Sequence, residues 1–379
     1  MKKVPVDFSR VIMVTSNYWD GFEYQRHHFT RQFAGHGIPV IFVERSPQRW
    51  PRFGLKDISE WFLRTGQGAS GISKQIPENV HVVSPWFLPP ARFLRPLNRR
   101  IIKNIFSKVD LNRKKTKNGS IVITYVPSYN TVDLIHLLRP DMVAYVNVHN
   151  YGEDDVMPDL LEAERELAKK ADVLFADSTF HMTRLSRLSG GREVCPSLPG
   201  VDYDLFRRAC RGDEAGRCGN IFYFGSIKRD LDFALYEALA SRIHTVFIGA
   251  VAPGVEKEIP PDIEVRPPVS AGELPSVLKD ADIIGLFYRD CSSARGTIPA
   301  KLFECLAAGK PVLVSGLSEA GSYSDVVYDV SGSAERALEI IRKLPGTETA
   351  WRLARRDEIA KEADWSKRFE AFAGHLRNV

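Results

Sequence analysis

Lys301 and Glu304 stand three residues apart in Thr297-Ile298-Pro299-Ala300-Lys301-Leu302-Phe303-Glu304-Cys305-Leu306-Ala307-Ala308-Gly309-Lys310-Pro311-Val312-Leu313-Val314. That spacing puts an ammonium and an acceptor-only carboxylate on one face of a helix. Leu302, Phe303 and Leu306 form the opposite, apolar stripe. Cys305 and Ala308 fall on the charged face and are small enough to let a ligand approach. Pro299 suits the first helical turn, Gly309 the left-handed residue after the last one, and Pro311 prevents continuation. A cation, a carboxylate and a positive helix N-terminus in one place suit a nucleoside diphosphate. Lys301 and the dipole would meet the phosphates, and Glu304 the ribose hydroxyls.

Such a helix needs a scaffold, and the chain supplies one twice. Buried-strand runs at Arg10–Ser16, Ile38–Val43, Val80–Val83, Ile121–Tyr125, Met142–Val148 and Val173–Asp177 alternate with helical stretches at Tyr24–Ala34 and Asp159–Ala171. Residues 46–79, rich in Pro, Gly and Ser, carry no assignment. A polar, Gly-bearing linker covers 207–219. A second series follows at Ile221–Gly225, Thr245–Gly249, Ile263–Val265, Ile283–Tyr288 and Pro311–Val314, and Trp351–Leu376 reads as a closing helix. Strand–helix alternation predicts parallel sheets covered on both faces, hence an α/β fold.

Pro-x-Lys-Leu-x-Glu-x-Leu-Ala-x-Gly-Lys-Pro-Val, from Pro299 to Val312, resembles the donor-site motif of GT-B glycosyltransferases. Gly200-Val201-Asp202-x-x-x-Phe206 is similar to the passage between their domains, and Ala363-Asp364-Trp365-Ser366-Lys367-Arg368 to their closing helix. The resemblance covers residues 199–315 well and the first half more loosely. Its layout is that of bacterial group 1, family 4-like enzymes, including exopolysaccharide glucuronosyltransferase types. It implies two Rossmann-like domains facing across a cleft, with a C-terminal helix crossing back to the first. The acceptor domain would be 1–199 plus 358–379 and the donor domain 200–357. It also implies sugar transfer from a nucleotide-sugar of unknown base to a glycan or lipid-linked glycan, in cell-surface polysaccharide synthesis. A nucleotide-sugar epimerase, or a non-catalytic nucleotide-sugar-binding or scaffolding protein, are the alternatives.

By the same resemblance, the turn Gly225-Ser226-Ile227-Lys228 approaches the diphosphate, with Arg229 adding positive charge. Pro268 and Val269 hold the base edge, Tyr288 lies beside the donor, and Ser293 and Thr297 belong to a loop around it. Retaining relatives often carry Glu-x7-Glu; Gly296 occupies the first of those places, which points to inversion. Asp202/Asp204, Asp230/Asp232 and Asp280/Asp282 are Asp-x-Asp pairs at linker or helix positions, so no metal is expected and no cofactor beyond the co-substrate.

On the acceptor side, the loop after the first strand should face the crevice beyond the strand ends. There Asp20 could take a proton, Trp19 stack on a sugar, and Arg26 hold an anionic group. Alternatively, Arg26 and His27 cap and position the helix. His149 ends another strand and is a candidate catalytic base, with Asp20, Asp154 and Asp155 as the other choices.

The net charge of +5 is too small for a general polyanion binder, but it is uneven. Arg92, Arg95, Arg99, Arg100, Lys103, Lys108, Arg113, Lys114, Lys115 and Lys117 cluster among Trp86, Phe93, Leu97 and other apolar residues. Residues 86–117 therefore suggest peripheral contact with the inner membrane, against a core-packed helix with a solvated basic face. No nucleic-acid motif accompanies them. Five scattered cysteines make neither a disulfide framework nor a zinc site, which predicts a reducing cytoplasm. Met1-Lys2-Lys3 leads into Pro5, Asp7 and Arg10 rather than an apolar run, so no signal peptide is expected.

Overall fold

The computed structural model describes residues 8–48, 74–108, 119–151, 158–209, 218–291 and 294–377. The chain divides into two compact units, Met1–Ser197 with Phe369–Val379, and Leu198–Arg368.

In the first unit the order is β1 (Arg10–Val14), α1 (Gln25–Gly35), β2 (Val40–Val43), β3 (Val80–Val83), α2 (Arg95–Lys108), β4 (Ser120–Thr124), α3 (Tyr129–Leu138), β5 (Met142–Asn147), α4 (Pro158–Lys170), β6 (Val173–Ala176), α5 (Thr179–Leu188) and β7 (Cys195–Pro196). The strands make one sheet ordered β3-β2-β1-β4-β5-β6-β7, every pair parallel. Covered on both faces, β1, β2 and β6 are apolar at nearly every position rather than alternating. Ile12, Val14, Ile41 and Val43 form one face and pack on Ile102 and Phe106 of α2. The order reverses between β1 and β4, the place where the loops beyond the carboxyl ends diverge in open sheets of this kind.

The second unit contains α6 (Tyr203–Phe206), β8 (Asn220–Phe224), α7 (Phe233–Ala240), β9 (His244–Ile248), β10 (Ile263–Arg266), α8 (Leu274–Leu278), β11 (Ile283–Phe287), α9 (Lys301–Ala307), β12 (Val312–Ser315), β13 (Tyr328–Asp329), α10 (Ala334–Thr347) and α11 (Ala350–Glu362); α12 (Trp365–Arg377) begins in it and belongs to the first unit from Phe369 on. Its sheet, also parallel, runs β10-β9-β8-β11-β12-β13 and reverses between β8 and β11.

The closing segment is two helices, not one. Ala363 and Asp364 interrupt it, with Val201 N–H bonded to Ala363 O at 2.9 Å and Trp365 N–H to Val201 O at 3.1 Å. The return to the first unit comes at Phe369 rather than residue 358. Two contacts hold α11 back. Ala360 and Ala363 lie in the second unit's core. Arg356, fully buried, pairs with Glu348 and donates to Val326 O. Beyond that point Phe369 and Phe372 pack on Phe29, Phe33 and Phe175 of the first unit, with centroids 4.3–5.7 Å apart. Among the described residues, no helix is long and apolar enough to cross a membrane.

Candidate active site

The second unit brings Lys301 and the β8 turn together. Gly225 ends β8 at φ 112°, and an added Cβ there would sit 2.7 Å from the Lys301 Nζ. The ammonium donates to Tyr223 Oη and Phe224 O, both at 3.0 Å, and lies 4.4 Å over the Tyr223 ring. Among the described residues no carboxylate pairs with it. Tyr288 faces the same group; burial, moderated by Lys301, pushes its phenol well above its ordinary range. Glu304, on the same side of α9, is half-buried and has no hydrogen-bond donor among the described residues. Desolvation raises its pKa to about 7, and Lys301 pulls against that. A cation without a counter-charge and a carboxylate without a donor thus stand on one short helix.

The helix differs from the expectation in two respects. Cys305 and Ala308 are buried in the core, so the charged face is open at Lys301 and Glu304 only. Their small size serves packing, not ligand approach. With seven residues, α9 also carries a weak dipole, which leaves the anion-binding charge to Lys301. Gly309 does take the left-handed conformation, φ 69°.

Around this pair the other expected donor residues separate. Ser226 stays half-exposed in the turn and accepts the Tyr223 hydroxyl at its carbonyl, 2.9 Å. Ile227 cannot touch a ligand. Its side chain is fully buried, and its N–H goes to Ala250 O at 2.9 Å. Lys228 is exposed; Arg229 is drawn aside by Glu258 (2.7 Å) and Gly254 O (3.2 Å). Pro268 and Val269 are exposed after β10, and Val269 lines an open depression of ≈ 360 Å³ with Ile248, Arg266, Pro267 and Val277. Thr297 is half-buried, and Ser293 lies outside the described residues.

Two groups here escape a reading of the sequence. Tyr223 looks like one more apolar strand residue, yet its hydroxyl holds Lys301. Gly249 looks like an ordinary strand end, but a Cβ there would lie 1.9 Å from Gly225 O. Gly249→Ala must therefore displace the Gly225 turn. We expect a loss of about 1–3 kcal/mol in chemical denaturation, with weaker nucleotide binding. Unchanged stability would show that the turn moves freely.

The Asp-x-Asp residues serve the backbone. Asp202 and Asp232 accept the Leu205 and Leu235 N–H groups, both at 3.1 Å, as helix caps, and Asp282 accepts Gly219 N–H at 2.8 Å. Among the described residues no group of three or more His, Cys, Asp or Glu is placed to hold a metal ion.

In the first unit, Trp19 and His27 are structural. Trp19 is 2% exposed, edge-on to Phe42 at 5.1 Å, so it cannot stack on a sugar. His27 is fully buried, accepts Tyr24 N–H at Nδ1 (3.1 Å) and meets Tyr18 O at Nε2 (2.9 Å). A ring donating to a carbonyl and accepting from an amide is neutral, and burial lowers its pKa to about 4. It caps α1 and binds no acceptor. Asp20 accepts Lys74 N–H at 2.7 Å and is half-buried. Arg26 is buried, its guanidinium between the rings of Tyr24 (4.6 Å) and Tyr125 (4.9 Å).

His149 follows β5, its N–H bonded to Asn147 Oδ1 at 3.3 Å and its ring edge-on to Tyr151. Asn147 is itself fixed by Glu164, which also takes Tyr145 and Arg184. The residue is exposed. Desolvation, then repulsion from Arg26 and His181, lowers its pKa to about 4. Water screens part of that effect. His149 is thus neutral at pH 7 and able to accept a proton. Asp154 and Asp155 lie outside the described residues. A separate depression of ≈ 520 Å³, near Met182, Arg187 and Glu193, lies toward the far end of α5, away from the carboxyl ends of the strands.

No family model matches the chain. It is 28% identical over 225 residues to a Bacillus subtilis (strain 168) protein, TuaH, to which the role of a teichuronic acid biosynthesis glycosyltransferase is attributed. That match takes in 54% of this chain and spans just over half of the relative, 56%. Among solved structures, Anabaena Alr3699/HepE in complex with UDP superposes with TM-score 0.68, at 12% identity over 98% of this chain and all of that one. The lipopolysaccharide outer core galactosyltransferase WaaB, in its apo form, superposes with TM-score 0.64, at 12% identity over 97% and 99%. A UDP-forming α,α-trehalose-phosphate synthase from Burkholderia xenovorans gives 0.65, at 13% identity over 98% and 99%.

Proposed function

We propose that this chain, which has the fold of the GT-B glycosyltransferases, transfers a sugar from a nucleotide-sugar to a glycan or lipid-linked glycan acceptor in cell-surface polysaccharide synthesis. One observation carries the reading: the Lys301 ammonium, without a counter-charge among the described residues, is held against the Gly225 turn on the helix that also presents Glu304. The diphosphate would neutralise Lys301, and a ribose hydroxyl would donate to Glu304. HepE is solved with UDP and with UDP-glucose, which makes a UDP-sugar the first donor to try. Lys301 would stabilise the departing diphosphate, so no metal is needed, and His149 would take the acceptor proton in an inverting displacement. The exposed Phe93 and Leu97 beside Arg99, Arg100 and Lys103 support peripheral contact with the anionic face of the inner membrane. Asp133 neutralises part of that charge by pairing with Arg95 and Arg99, so the contact is weak and reversible.

Thermal denaturation with UDP, GDP, CMP and dTDP, each with and without EDTA, tests this. A rise for one nucleotide class that EDTA leaves unchanged is expected. No rise with any nucleotide, in folded protein, would overturn the donor assignment. Binding without transfer to any acceptor would leave a non-catalytic binder instead.

A further inference from the structure

Arg26 is only 6% exposed, and among the described residues no carboxylate lies within ion-pair distance of it. Its Nε has no hydrogen-bond partner among the described residues. The groups that act on its charge are Tyr125, Tyr24, Tyr151 and Asp177, and Asp177 Oδ1 is bound to His181 Nδ1 at 2.6 Å. Attraction to the Tyr24 and Tyr125 rings recovers only part of the hydration that a buried guanidinium gives up. Native proteins seldom leave such a charge unanswered. The position is also special: Arg26 opens α1 after β1, beside the reversal of strand order where a sheet of this kind opens its crevice. Nearby polar groups are unmet as well. Among the described residues, the Asn150 Nδ2 donor, after β5, and the His181 Nε2 atom, on α5, are buried without partners.

We infer that Arg26 receives an oxyanion, a carboxylate or a phosphate, carried by the acceptor. Only the words "carried by the acceptor" rest on the glycosyltransferase reading; the anion site itself does not. The guanidinium fork matches either group with two parallel hydrogen bonds. Since Arg26 is one of the charges that disfavour imidazolium at His149, an anion seated on it makes that residue easier to protonate. Substrate binding would thereby strengthen the base that the transfer needs. An acceptor without an acidic group would miss both effects.

The test follows the His149 and His181 ring resonances of the full-length protein by NMR, with inorganic phosphate, glucuronate, and glucose as the neutral control. Saturable shifts with phosphate or glucuronate and none with glucose are expected, together with an upward move of the His149 titration. The anion that saturates tells a phosphate-bearing acceptor from a carboxylated sugar. Arg26→Gln should weaken the response by roughly tenfold or more, and Arg26→Lys by less. A nucleotide-induced thermal shift retained in Arg26→Gln shows that the protein is folded, and separates this result from failure of the donor site. If Arg26→Gln does not fold, the wild-type and Arg26→Lys titrations decide. No saturable response in wild type to either anion overturns the inference, as does an equal response in the folded Arg26→Gln protein.

Discussion

Lys301→Ala is expected to keep its fold and to lose transfer by roughly 10²–10³-fold in kcat/KM. The fold should survive because, among the described residues, Lys301 makes no ion pair, and its contacts with Tyr223, Phe224 and Tyr288 lie at the open end of the sheet. On the proposed reading, activity would be lost for two reasons that act together. The departing diphosphate gathers negative charge as the glycosidic bond breaks, and Lys301 is the cation held at the Gly225 turn. In addition, Lys301 opposes the desolvation of Glu304, so its removal pushes that carboxyl further up and leaves more of it protonated at neutral pH. Lys301→Arg should recover only part of the activity, because a planar guanidinium cannot reproduce the compact ammonium's bonds to Tyr223 Oη and Phe224 O. Circular dichroism and steady-state rates with the donor found by thermal shift check both halves. Full activity in Lys301→Ala would remove the donor site from this helix.

How much of this was legible in the sequence depends on where each residue finds its partner. The α9 pair could be read because a helix puts residues three apart side by side whatever surrounds them. The strands could be read because a parallel sheet, covered on both faces, demands unbroken apolar runs. Side chains whose role is settled by a distant partner could not. Trp19 and Ile227 have the types and loop positions of ligand-binding residues, but the core claims them. His27 turned inward because Tyr24 and Tyr18 each offered its ring a backbone partner. Tyr223 and Gly249 gained their roles from Lys301 and Gly225, both remote in the chain. Arg26 stands between the two: its loop position already suggests an anion holder, whereas the lack of a counter-charge among the described residues is something no local pattern reports.

Nucleotide-sugar affinity should strengthen about tenfold between pH 6 and pH 8, with Glu304 as the cause. Burial raises this carboxyl from an ordinary 4.5 to about 7, so near neutrality a large share is protonated in the free protein. A ribose hydroxyl donates best to the carboxylate, so binding selects the deprotonated form and lowers its pKa. Below the free-state value, each pH unit then costs the complex about a factor of ten, until the bound-state pKa is reached. The sign for folding is the opposite. A folded pKa raised above the unfolded one means that the native state holds the proton more tightly. Stability is therefore greater below pH 4.5, declines as pH rises toward 7, and is lower by about 1–3 kcal/mol above that, the range allowing for the water that still reaches Glu304. Raising the pH thus tightens binding while it loosens the fold, a combination that general electrostatic softening of the protein would not produce. The ligand for this experiment is UDP-glucose rather than UDP, since an esterified diphosphate has no proton of its own to release in this range. Calorimetry in buffers of different ionisation enthalpy should record proton release near pH 6.5. Glu304→Gln should bind more weakly at pH 8, show no pH slope and release no proton. A slope that survives in Glu304→Gln would assign the titration to another group and leave Glu304 without a ligand hydroxyl to bind.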